Sequence, residues 1–181
     1  VVGLILTLGR QLVPFFIERD AGLSDELPNH RWVDLGSMVL FLVFFASELF
    51  FLGPWWTGVS SIGLFVLSLI RLYGWYNGRI WANPLLWSLY LSYGCISLGF
   101  LLFALSAWGL VMRFVAVHAF AFGGIGIITM GMMARVSLGH TGRDVKQVPK
   151  AVGLALGLLV VGLVCRVGAP LLAPEHYVVW V

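Results

Sequence analysis

Glu48, His118 and Arg166 each interrupt an otherwise apolar run of the chain. Charged groups and imidazoles held among apolar residues are costly, so chemistry is sought there first. A carboxylate relays protons, a neutral imidazole ligates haem iron or copper, and a guanidinium pairs well with a propionate. Counting helical rise inward from the ends of the runs places the three at one level. Glu48 falls about 8 Å, His118 about 10 Å and Arg166 about 9 Å below the same face. The spacing predicts a polar layer built from three segments far apart in sequence. Each residue also has a plainer role: a packing histidine, a snorkelling cation, and a protonated, hydrogen-bonded acid.

A second layer is predicted nearer the opposite face, where Arg10 and Tyr90 each lie about 10 Å deep and Asp34 opens an apolar run on the same side. Asp34 and Glu48 are 14 residues apart, close to four helical turns, so they share one face, which points inward. After His118 the sequence continues through Gly123-Gly124-Ile125-Gly126 to Met130, Met132 and Met133. The glycines admit either a neighbouring helix or a flat macrocycle; the methionines are soft copper ligands or adaptable packing. Gly139 or Gly142 can end this helix in the left-handed conformation, leaving Arg135 and Arg143 at the headgroups. His140 lies ~30 Å along the helix from His118, so the two cannot be axial ligands of one haem, only of separate centres. Cys95 and Cys165 read as small buried hydrophobes.

The elements that must position these groups are membrane spans. Hydrophobic residues make up 60% of the chain and charged residues 10%, with a mean hydropathy of +0.98. A soluble domain carries about 25% charge, so lipid replaces water over most of this surface. The fold class is all-α: one polytopic transmembrane helix bundle over residues 1–181, with about six spans at 1–17, 32–53, 55–72, 84–107, 111–135 and 150–172. Pro14 should kink or end the first span, Gly53-Pro54 forces a tight hairpin, and Pro84 and Pro149 start helices. Loops after the first, third and fifth spans carry Arg19, Arg31, Arg71, Arg79, Arg135, Arg143, Lys146 and Lys150, against Arg113 alone in the other loops. The positive-inside rule makes the first set cytoplasmic. Trp32, Trp55, Trp56, Trp75, Trp81 and Trp108 fall near span ends, as an aromatic belt. Both ends of the chain are apolar and read as cuts through a longer polypeptide.

Three stretches carry a family resemblance: Gly9-Arg10-Gln11-Leu12-Val13-Pro14-Phe15-Phe16, the run from Pro84 to Gly94, and His118 through Arg143 with its MMARVSLGHTGR segment. Together they resemble the NnrS family of multi-pass bacterial membrane proteins. The resemblance implies haem and copper as cofactors, the bacterial cytoplasmic membrane as location, and a role in nitric oxide metabolism or the nitrosative stress response. It also implies that this chain is a C-terminal half, partnered by the missing N-terminal half, by the lipid bilayer and by nitric oxide or a related small molecule, but not by nucleic acid. His118 and His140 become the candidate metal ligands, Arg166 or Arg10 the propionate partners, and Glu48 a proton-relay carboxylate. The family often has His where Tyr90 stands, so that position is not carried over as a ligand. Redox enzyme and sensor or protective protein both stay open. An alternative is half of a secondary transporter, with Glu48, His118 and Arg166 binding ions or substrate. A third is a structural subunit packed on a redox partner.

Overall fold

The computed structural model describes residues 2–21, 27–28 and 30–172. These are overwhelmingly helical and include no strand. Six long helices follow in order: α1 (Val2–Ala21), α2 (Arg31–Leu49), α3 (Pro54–Trp75), α4 (Pro84–Ala107), α5 (Arg113–His140) and α6 (Lys150–Leu172), with a short 3-10 turn at Gly78–Ala82. The last five are long and apolar enough to cross a membrane. Helix α1 is comparable in length at 20 residues, but Arg10, Glu18, Arg19 and Asp20 dilute its apolar character.

The helix boundaries follow from local chemistry. Pro54 and Pro84 occupy first-turn positions, where a missing N–H leaves no bond unmade. The Asn83 side chain accepts the Leu85 N–H at 2.9 Å and donates to the Val145 carbonyl at 3.1 Å, which caps α4 and ties it to the loop before α6. The α2–α3 link turns through Phe51 (φ 51°) and Gly53 (φ 104°), so the tight hairpin is present. At the end of α5 the Arg143 N–H reaches the Leu138 carbonyl and the Gly142 N–H reaches Gly139, with Gly142 at φ 67°. That paired closure is a Schellman motif, and Gly142 is its left-handed residue.

Pro14 does not end α1, which runs on to Ala21. The turns beyond it are anchored from outside the helix: the Glu18 carboxylate accepts the Leu27 N–H at 2.7 Å, and Asp20 is ion-paired. Those bonds hold a segment that has lost one backbone hydrogen bond to proline.

Helix α4 lies at the centre. It packs against α3, α5, α1 and α6, whereas α2 rests chiefly on α3 and α1. Phe44 of α2, Phe100 and Phe103 of α4 and Phe120 of α5 form one aromatic cluster, with ring centroids 4.9–5.9 Å apart along its edges. The outer faces of α2 and α6 present Leu35, Met38, Leu42, Leu154, Leu158 and Val161 to their surroundings. In a bilayer such faces are solvated by acyl chains, so their exposure carries no penalty.

The middle of α5, Ala119–Gly126, adopts π-helical geometry. The sequence gives no expectation of this. Its glycines remove the side chains that normally resist the wider coil, and π segments recur at functional sites.

Candidate functional site

Among the described residues, four ion pairs gather into three clusters, and each joins different helices. At the basic end, Asp34 of α2 accepts from two guanidiniums: Arg10 of α1 at 2.6 Å and Arg71 of α3 at 2.7 Å. Arg71 also donates to the Tyr93 hydroxyl on α4 at 2.9 Å and to the Val33 carbonyl at 3.4 Å. Its side chain is only 5% exposed. Arg10 and Asp34 of the predicted second layer are thus in direct contact, while the Tyr90 hydroxyl donates to the Leu72 carbonyl at 3.0 Å.

The second cluster joins α1 to α5. Arg135 meets Asp20 at 2.6 Å, with side chains 9% and 2% exposed, and its guanidinium lies 4.1 Å from the centre of the Phe16 ring. Arg71 and Arg135 were counted above among cytoplasmic loop residues, and the structure overturns both placements. Each is buried within a helix because a carboxylate on a neighbouring helix receives it. The basic bias survives on the remaining six residues of that set. Trp75 also leaves the aromatic belt: it is fully buried, 5.0 Å from the Tyr93 ring.

The third cluster lies at the other end. Glu48 pairs with Arg113 at the start of α5 and accepts from the Thr57 hydroxyl at 3.2 Å, which also bonds Ser47 at 3.0 Å. Arg113 extends over the Phe103 ring at 5.0 Å. These residues border a cleft of about 340 Å³ shared with Ser106 and Phe51. As expected of one inward face, both Asp34 and Glu48 turn towards neighbouring helices. Arg113, expected as a simple loop cation, is instead paired with Glu48.

His118 is half-buried, five residues into α5 from Arg113. Its Nδ1 lies 2.7 Å from the Phe114 carbonyl of the same helix, and the π segment begins at the next residue. As the carbonyl can only accept, Nδ1 is the donor, and in a neutral ring this leaves the lone pair on Nε2. Arg166 is half-buried on α6, and the Arg113–His118 stretch packs against that helix. Thus His118 and Arg166 stand on adjoining elements, while the Glu48 carboxylate is held by Arg113 and Thr57. His140 is exposed in the last turn of α5.

The glycines of α5 serve helix packing. A Cβ on Gly123 would lie 2.7 Å from the Cys95 Cβ, and one on Gly124 would lie 2.5 Å from the Ile96 Cγ1. That space is filled by α4, so no flat macrocycle lies against these two residues. Met130 and Met133 are exposed, and Met132 packs on the core. Cys95 is buried as expected, but Cys165 is exposed on the outer face of α6. Among the described residues, no group of three or more His, Cys, Asp and Glu converges on a point that could hold a metal ion.

The architecture is that of a multi-pass α-helical membrane protein whose buried charges are paired between helices. The family model described as NnrS protein matches residues 1–181, and the chain belongs to that family. No curated protein and no solved structure matches it.

Proposed function

We propose that the protein is a haem-containing membrane protein of the bacterial cytoplasmic membrane that acts in nitric oxide metabolism or the nitrosative stress response, with His118 as an axial haem ligand. The observation that carries this reading is the Nδ1 contact to the Phe114 carbonyl. Histidines that ligate metals typically donate their other ring N–H to a backbone carbonyl or a carboxylate, which fixes the tautomer and aims the free nitrogen. His118 would hold haem iron through Nε2. Haem, when bound, supplies an iron centre that takes up small diatomic molecules.

The protein's own groups have distinct parts in this reading. Arg166, on the helix packed against the His118 turn, is the propionate partner. Glu48 sits at a cleft between Thr57 and Arg113 and is the carboxylate that passes a proton between cleft and interior. Copper, implied by family membership, would take His140 as one ligand at a separate centre, because α5 keeps the two histidines ~30 Å apart.

An optical spectrum and metal analysis of the purified full-length protein test the proposal. A Soret band with bound iron, abolished in His118→Ala but kept in His140→Ala, supports it. A folded, colourless and iron-free protein, or full haem retention in His118→Ala, refutes the ligand assignment.

A further inference from the structure

A cavity of about 510 Å³ lies between α1 and α2, apart from His118 and the Glu48 cleft. Its two ends differ in chemistry. Arg10, Arg31, Arg71 and Asp34 line one end; beyond them Thr7 and Ser37 are the polar residues in a lining otherwise made by Gly3, Leu6, Leu35, Met38, Phe41 and Leu42.

Among the described residues that line the polar end, three guanidiniums stand with one carboxylate, Asp34, which Arg10 and Arg71 already share. Among the described residues Arg31 has no ion pair, and the Nε of Arg71, in a side chain only 5% exposed, has no hydrogen-bond partner. Arg10 and Arg31 are exposed beside the buried Arg71, and such a concentration of guanidiniums favours a bound anion. The apolar end calls for hydrocarbon: Leu35, Met38 and Leu42 are each more than half exposed on the outer face of α2, so the wall of the cavity continues into the bilayer-facing surface. An anionic group joined to an acyl chain satisfies both ends at once.

We propose that this cleft is a binding site for an anionic phospholipid. The phosphate engages Arg10 and Arg31 beside Arg71, and an acyl chain lies along Leu35, Met38 and Leu42. Basic pockets between transmembrane helices on the cytoplasmic side are where anionic headgroups bind, and the remaining basic loop residues mark this end of the bundle as that side. The site does not depend on haem binding at His118.

The test uses the full-length protein in nanodiscs of phosphatidylcholine alone or with phosphatidylglycerol, followed by native mass spectrometry of the released protein. The wild type should retain phosphatidylglycerol, and an Arg10→Gln/Arg31→Ala double variant should retain at least fivefold less. Leu42→Trp, which fills the acyl wall but spares the guanidiniums, should also lower retention while leaving the fold intact by size-exclusion chromatography. Equal retention by wild type and both variants overturns the site. Inorganic phosphate competing as effectively as the lipid overturns the acyl assignment. Loss of haem from the double variant with lipid retention unchanged overturns the proposal in favour of propionates in the cleft.

Discussion

Arg71 donates to the Tyr93 hydroxyl across the α3–α4 interface at 2.9 Å while it holds Asp34 of α2. Three side chains thereby lock three helices. Tyr93→Phe keeps the ring against Trp75 but removes the acceptor, leaving a charged donor unmet in a buried setting. The variant should lose about 1–3 kcal/mol of stability. Unfolding by SDS titration in mixed micelles measures this, and a midpoint equal to that of the wild type would contradict the assigned role.

The Asp20–Arg135 pair makes a sharper test because both side chains are almost wholly buried. Asp20→Asn or Arg135→Met alone leaves one charge uncompensated and should cost about 3–5 kcal/mol. The Asp20→Leu/Arg135→Met double variant removes both charges and should recover much of that loss. A double variant as unstable as the worse single variant would show that the pair is not an isolated unit.

Helix packing at the π segment predicts intolerance of bulk. Gly123→Val places atoms on the Cys95 Cβ, and overpacking of this kind typically costs about 1–3 kcal/mol. Gly157→Val on α6, where a Cβ meets nothing within 4 Å, should be tolerated. Comparing the yield and SDS unfolding of the two variants checks the difference.

The end of α5 predicts opposite signs for two glycines three residues apart. Gly139 has open space and lies in the helix, so Gly139→Ala should stabilise by up to about 1 kcal/mol. Gly142 sits at φ 67°, so Gly142→Ala should destabilise by roughly 1–2 kcal/mol. Equal effects of the two substitutions in the same unfolding assay would contradict the Schellman closure.

The spans were legible because lipid imposes apolar runs of one length, and proline and glycine punctuate them. The Asp34 layer was partly legible, since Arg10 and Asp34 fall at matching depths. Arg71 and Arg135 were misplaced because a sequence shows a cation near a span end without showing the carboxylate that lets it stay inside. A usable signal existed for Arg71: Thr57, Ser61, Ser68 and Arg71 recur at helical spacing on one buried face of α3. The Glu48–Arg113 contact was not legible, because it depends on how α2 and α5 converge on α4. The π segment leaves no trace in composition beyond its glycines.

Helix α1 illustrates what this wiring demands during synthesis. It carries four charges and falls short of the apolar standard met by the other five, so its partition into lipid on its own is weak. Asp20 is neutralised by a residue 115 positions later in the chain, and Arg10 by one 24 positions later. A ribosome must therefore deliver α2 and then nearly all of α5 before α1 has its full set of counter-charges. Until then the helix has reason to linger beside the insertion machinery, and its final seat in the membrane is taken late, although it is made early.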